Sequence, residues 1–200
     1  MRLEEHVFGE VLRALERIPP EDRSDIYALS LFVYDADDDP RRPTLTVGYN
    51  TEAQVAACTP GPGESPHFPT ASDSDEARWN YAFWLQNDLS VVCDEECDRA
   101  GAELLLAWAK QHGWWFSDEE EAADFDAALD RVRPLTAEFV WIAVRVVQRL
   151  HKEAVLERVL GRGVPILIHE LEYYEEIARQ NEVANSAESV RDFARWVRNG

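Results

Sequence analysis

A histidine and two carboxylates stand close together in the segment His169-Glu-Leu-Glu172. Imidazole and carboxylate groups bind zinc and act as general acids and bases. A zinc metalloprotease motif needs a second histidine four residues after the first, but position 173 is a tyrosine. If the segment ends a strand, His169 and Glu170 point to opposite faces. His169, Glu170 and Glu172 are therefore candidates for a small metal-dependent enzyme, and a strand end that turns into solvent is the simpler interpretation.

Asp35, Asp37 and Asp39 alternate along the chain as the first ligands of a calcium loop do. Such a loop also needs glycine at its sixth position and a bidentate glutamate at its twelfth. Pro40 and Thr46 occupy those positions here. The pattern favours a solvated hairpin tip over a weak cation site.

Cys58, Cys93 and Cys97 are too few and odd in number for a disulfide framework. Cys93 and Cys97 are four residues apart and would share one helix face, and a structural zinc site needs four ligands. His67 and Cys58 would complete such a set only through a tertiary contact. We predict buried thiols and no cofactor.

The distribution of charge is the most unusual property of the chain. The formal net charge is -19, and residues 72–130 hold 16 acidic against three basic residues, a net charge of -13. Residues 131–162 reverse the sign, with seven basic against three acidic residues. So negative a field repels nucleic acid and anionic membranes and attracts basic proteins.

Two acidic runs begin predicted helices, where carboxylates complement the helix dipole. That effect explains each run alone. It does not explain why the segment 72–130 reaches a net charge of -13 without compensating lysines. The alternative is a surface that binds a basic partner through Asp94, Glu95, Glu96, Asp98, Asp118, Glu119, Glu120 and Glu121.

Seven tryptophans indicate a packed core rather than a disordered chain. Trp79, Trp84, Trp114 and Trp115 are candidates for stacking on a ligand or partner, since tryptophan is enriched at interaction hot spots. Core packing is the favoured role for these four side chains.

Periodicity predicts the elements that position these groups. An apolar stripe predicts a first helix that ends before Pro19, and later helices are expected over 94–112, 118–132, 134–160, 174–183 and 186–196. Pro134 separates two of these helices or kinks a single one. Strands are predicted over 25–34, 44–49, 78–85 and 164–169.

These elements predict a single α+β domain over 1–200, with a small antiparallel or mixed sheet of about four strands covered by several helices. Residues 59–75 are rich in proline, glycine and serine and are expected to form an internal surface loop rather than a domain boundary. The chain shows no apolar run long enough to cross a membrane and no signal-peptide core, so we expect a cytoplasmic protein.

Three stretches resemble a bacterial domain-of-unknown-function family, number 4303: DIYALSLFVYDADDDPRRPTLTVGYNTE at 25–52, RWNYAFW at 78–84 and HELEYYEEIARQNEVAN at 169–185. The acidic segment 118–130 has no match in the family pattern. The resemblance implies a bacterial cytosolic α+β domain without an established activity. The positions that match are Asn50, Thr51, Glu52, Trp79, Trp84, Glu172 and Asn185.

Two functional hypotheses remain from the sequence. The first is a non-catalytic module that binds a basic protein, comparable in size and acidity to the immunity proteins that inhibit bacterial toxins. The second is the small metal-dependent enzyme centred on His169. The sequence leaves the oligomeric state open.

Overall fold

The computed structural model describes residues 2–59, 61 and 70–199. Four strands form one mixed sheet in the order β3-β2-β1-β4: β1 (Ile26–Asp35), β2 (Pro43–Thr51), β3 (Ser90–Val92) and β4 (Ile166–His169). β2 pairs antiparallel with both β1 and β3, and β4 pairs parallel with β1. The predicted α+β class and small mixed sheet are confirmed.

The helices of the described chain account for most of its ordered length. They are α1 (Leu3–Glu16), α2 (Glu52–Cys58), α3 (Ser74–Trp79), α4 (Arg99–His112), α5 (Asp118–Ala123), α6 (Phe125–Val132), α7 (Pro134–Lys152), α8 (Val155–Leu160), α9 (Glu175–Ala184) and α10 (Arg191–Asn199). Within these residues, every helix is too short or too polar to cross a bilayer.

β1 is apolar on both faces because helices cover the sheet on both sides. Leu29, Leu31 and Val33 pack into the larger cluster with α1 and α7. Ala28, on the opposite face, packs with Leu167 and the residues of α9 and α10. A strand covered on both sides reads as a continuous apolar run, as the sequence of β1 does.

The backbone groups at the free edge of β4 are hydrogen-bonded by Asn181 of α9 and by Asn185, the residue that ends this helix. Asn185 accepts from the amide of Ile166 and donates to its carbonyl, both at 2.9 Å. Asn181 does the same for Ile168, at 2.8 and 2.7 Å. Four helical residues rise about 6 Å, and two strand residues rise about 6.6 Å, so the two spacings match and the helix completes the ladder.

The strand predicted over 78–85 is wrong. Asp73 accepts from the amides of Asp75 and Glu76 and so caps α3, and a 3-10 turn follows at Tyr81–Phe83. The alternating aromatic residues that suggested a strand do not share one face; Trp79 and Trp84 both pack against Tyr27 in T-shaped arrangements. The third strand is Ser90–Val92.

Capping residues explain most other differences at the helix ends. Asp98 accepts from the amide of Gly101, so α4 begins after residue 98 rather than at 94. Asp124 caps α6 and divides the predicted helix 118–132 in two. Pro134 begins α7, and Ala154, at φ 50°, separates α7 from α8. The last helix begins at Arg191 instead of near residue 186.

The predicted loop 59–75 lies mostly outside the described residues, since only 59, 61 and 70–75 of that range belong to them. Within the described residues, the loop ends at Asp73, because this residue caps α3.

Replacing Asn181 or Asn185 should destabilise the fold strongly. Asn181→Ala leaves the buried amide and carbonyl of Ile168 with fewer partners, and we expect a loss of about 2–3 kcal/mol in the free energy of unfolding. Arg179→Ala, on the exposed face of the same helix, removes only a surface pair with Glu176 and should cost less than about 1 kcal/mol. Urea unfolding measures both, and equal losses would contradict the role of the ladder.

Candidate functional site

His169 lies in the core rather than at a surface. Its side chain is 2% exposed and stacks against Phe32 and Tyr173. Nδ1 donates a hydrogen bond to the carbonyl oxygen of Glu170 at 3.2 Å, and Nε2 accepts one from the hydroxyl of Ser30 at 2.8 Å. Burial lowers the pKa of His169 to about 4, so the imidazole is neutral.

The other two members of the predicted catalytic group face elsewhere. The Glu170 carboxylate accepts from the hydroxyl of Tyr174 at 3.0 Å, and burial raises its pKa, with Asp35 adding to the shift. Glu172 is exposed. Across the described residues, no hydrogen bond or ion pair joins the side chains of His169, Glu170 and Glu172.

The three alternating aspartates also separate. Asp35 accepts from Thr136 at 3.0 Å, and burial raises its pKa. Asp37 pairs with Arg42, and Asp39 pairs with Arg41. The segment turns sharply at Asp37, whose φ is 57°, a conformation that aspartate tolerates better than most residues. The hairpin tip therefore directs its carboxylates to three different partners.

The cysteines are all free thiols. Cys58 and Cys93 are buried, as predicted, and burial raises the pKa of both. Cys97 is exposed, so its predicted burial is wrong: α4 begins only after Asp98, and Cys97 lies in the preceding turn. His67 lies outside the described residues.

The residues that carry the family resemblance mostly surround Tyr27. The side-chain amide of Asn50 donates to the Tyr27 hydroxyl at 3.0 Å, and the indole of Trp84 donates to the carbonyl of Arg78 at 2.9 Å. Trp79 and Trp84 are buried, so both are core residues. Thr51 caps α2, and Glu52 pairs with Arg78. Asn185 lies apart from this group and bonds the backbone of β4.

The other two tryptophans lie at the surface side of the main core. Trp114 stacks on the ring of His112, with centroids 4.6 Å apart. The Lys110 ammonium lies 4.2 Å from the centroid of Trp115. Trp115 also lines a cleft, and the acidic residues of the turn 94–96 line the same cleft.

The acidic cleft, as we call it, is a depression of about 700 Å³ between the β1–β2 hairpin, the turn that follows β3, and α4. Its apolar surface comes from Cys93, Ala102, Leu105, Leu106 and Trp115. Its charged surface comes from Asp39, Arg41, Arg42, Asp94, Glu95, Glu96, Arg99 and Glu103.

Two arginines of the hairpin hold three acidic segments together around this cleft. Arg41 pairs with Asp39 and with Asp118 at the start of α5, both at 2.7 Å. Arg42 pairs with Asp37 at 2.8 Å and with Glu95 at 3.1 Å. The guanidinium of Arg41 also lies over the ring of Phe116. Carboxylates far apart in sequence therefore converge at one end of the molecule.

The eight acidic residues predicted to bind a partner have different surroundings. Asp98 is mostly enclosed and hydrogen-bonded to His6. Asp94 accepts from two backbone amides of its turn, and Glu120 closes a capping box and pairs with Arg131. Asp118 and Glu95 pair with the hairpin arginines. Within the described chain, the carboxylates of Glu96, Glu119 and Glu121 make no hydrogen bond or ion pair.

Sequence reasoning missed Arg41, Arg42 and the apolar residues of the cleft lining, which we call its apolar floor. One signal was present: Leu104-Leu-Leu106 places three apolar residues in a row on α4. An amphipathic helix cannot bury three consecutive residues on one face, and Leu106 is 39% exposed.

Comparison with protein-family models, with curated proteins and with solved structures finds no match for this chain. The resemblance to the uncharacterised bacterial family therefore stays a prediction.

His169 should make the stability of the protein depend on pH. Its folded pKa of about 4 lies below the unfolded value of about 6.5, so the unfolded chain binds more protons between these values. The stabilisation is complete above pH 6.5 and falls by about 3 kcal/mol as the pH drops towards 4. His169→Gln, which cannot be protonated, should flatten this loss in urea unfolding measured across that range.

His112→Gln, at an exposed histidine, serves as the control for losing an imidazole. If His169→Gln follows the same pH curve as the wild type, the buried neutral imidazole is not the cause of the acid sensitivity.

Proposed function

We propose that this protein is a non-catalytic binding module whose acidic cleft receives a basic, partly apolar segment of another protein. The observation that carries the proposal is the convergence of three acidic segments on a cleft with an apolar floor. Neither feature alone would suffice, because acidic surfaces are common and exposed leucines are ordinary.

Charge supports a basic partner. The net charge of -19 attracts cationic surfaces over a distance, and Glu96 presents an unpaired carboxylate at the cleft itself. Arg99 and Glu103 form a highly exposed pair at the same rim. Such pairs contribute little stability, so a partner's arginine or lysine can take the place of Arg99.

The size of the cleft limits what it can hold. A volume of about 700 Å³ accommodates a few side chains and not a whole domain. A stable complex buries at least about 1,200 Å² in total, so the rim must contribute further contacts. Glu119 and Glu121 follow Asp118, which pairs with Arg41 of the cleft lining, and we infer that their carboxylates extend the acidic surface beyond the cleft.

An inhibitor of the immunity type, bound to a basic toxin in the bacterial cytoplasm, is the partner relationship that these features favour. The family resemblance and the acidity support this assignment by analogy. An enzyme centred on His169 gains no supporting observation from the arrangement of its three residues.

Reversing charge at the cleft should abolish capture of basic proteins. We compare Glu96→Lys/Glu103→Lys, both in the cleft lining, with Glu172→Lys/Glu188→Lys, which changes the net charge equally at exposed sites outside that lining. Each protein is immobilised, exposed to a bacterial lysate and eluted with rising salt, and the eluted proteins are identified by mass spectrometry. We expect the wild type and the second variant to retain a basic protein that the first variant loses.

Equal retention by both variants would show that total charge, and not the cleft, attracts the protein. Retention that is insensitive to salt would also contradict the proposal, since exposed charge pairs are screened at high ionic strength.

The apolar floor should act on dissociation rather than association. Leu106→Asp places a charge on the floor, and Leu171→Asp is the matched control at a more exposed leucine away from the cleft. With a captured partner, we expect Leu106→Asp to raise the dissociation rate at least about tenfold while the charge reversals chiefly lower the association rate. Biolayer interferometry separates the two rates. Unchanged dissociation for Leu106→Asp would remove the floor from the interface.

A further inference from the structure

A second cluster of chemically active side chains joins α1 to the start of α4. His6 and Glu10 lie one turn apart on α1, and Asp98 precedes α4. Nε2 of His6 lies 2.7 and 2.9 Å from the two oxygens of Asp98 and 4.0 Å from Oε1 of Glu10. The three candidate ligand atoms all lie within 4.8 Å of one another.

The cluster is enclosed on one side and open on the other. The exposed fraction of the side chain is 4% for His6, 11% for Asp98 and 21% for Glu10. Two carboxylates that approach the same imidazole nitrogen repel each other, and a cation bound between them offsets that repulsion.

The backbone around Asp98 holds its carboxylate in place. The amide of Cys93 donates to Oδ2 at 2.9 Å, and the amide of Gly101 donates to Oδ1 at 3.1 Å. Groups that orient a ligand in this way are typical of the second shell of metal sites.

Gly101 leaves the space that the cluster occupies. A Cβ atom at this position would lie 2.1 Å from Oδ2 of Asp98 and 2.8 Å from Nε2 of His6. Glycine is a poor helix former relative to alanine, and here it stands in the first turn of α4, where a Cβ atom would clash with Asp98 and His6.

A hydrogen bond between His6 and Asp98 accounts for the short contacts but not for the approach of Glu10 to the same nitrogen. The Oε1 atom of Glu10 lies 4.0 Å from Nε2 of His6 and also pairs with Arg13 on the outer side, so a bound ion takes this oxygen from the guanidinium. One histidine and two carboxylates provide the nitrogen and oxygen ligands that zinc takes in proteins.

We propose that His6, Glu10 and Asp98 bind a divalent transition-metal ion of the zinc class. The ion binds Nε2 of His6 and one oxygen from each carboxylate, and it displaces the Nε2 proton to solvent. Three protein ligands leave a fourth position for water, as in zinc sites that are not purely structural. The ion fastens α1 to α4, whose residues line the acidic cleft, and the proposal does not depend on the function of that cleft.

The test is calorimetric titration of the full-length Cys97→Ser protein with Zn²⁺. This background removes the exposed thiol, which could bind zinc independently. We expect one equivalent to bind, and we expect Co²⁺ to give the visible absorption of a four- or five-coordinate site. Glu10→Gln and His6→Gln should each weaken Zn²⁺ binding at least about tenfold, as loss of a ligand does.

Glu103→Gln is the control, since it removes an exposed carboxylate from the acidic cleft without touching the cluster. It should bind Zn²⁺ as the parent protein does, which separates the site from general attraction of cations by an acidic chain. Glu10 is partly exposed, so Glu10→Gln should keep the metal-free urea midpoint and lose only the increase that Zn²⁺ produces. No stoichiometric binding, or binding that survives both ligand substitutions, would overturn the proposal.

Discussion

The fold depends on how the backbone amides and carbonyls at the open edge of β4 are hydrogen-bonded. Asn181 and Asn185 supply to this strand the donors and acceptors that a fifth strand would otherwise provide. The same contacts fix α9 against the sheet, and α10 packs on α9 to complete the smaller core. Asn185 also lies 3.0 Å from Nε2 of His151 on α7. A single amide therefore connects both helical layers to the sheet edge.

The acidic cleft is assembled by a different kind of contact. Arg41 and Arg42 stand in a hairpin tip that is otherwise acidic, and each reaches a carboxylate from a distant segment. Exposed pairs of this kind contribute little stability singly, but Arg41 is largely enclosed and also covers Phe116. The arrangement concentrates negative charge beside apolar surface, whereas scattered carboxylates would only have kept the chain soluble.

The sequence pattern predicted those parts of the fold that neighbouring residues determine. The two apolar faces of β1, the short connection to β2 and the break at Pro134 all follow from neighbouring residues. β3 could not be found this way, because three residues are too few to show a period. The aromatic alternation at Trp79–Trp84 misled because packing around Tyr27 produced it. The cleft and the His6 cluster join residues 77 and 92 positions apart, and no local pattern encodes such contacts.

The two edges of the sheet also limit the addition of a further strand. Strand addition requires a row of unpaired backbone groups along an edge. On β4 that row is already paired with Asn181 and Asn185, and on the other side β3 offers only three residues, Ser90–Val92. Short or covered edges of this kind also protect a sheet from edge-to-edge aggregation. A chain that extended the sheet along β4 would therefore first have to displace α9, and along β3 it would gain a ladder of only three residues.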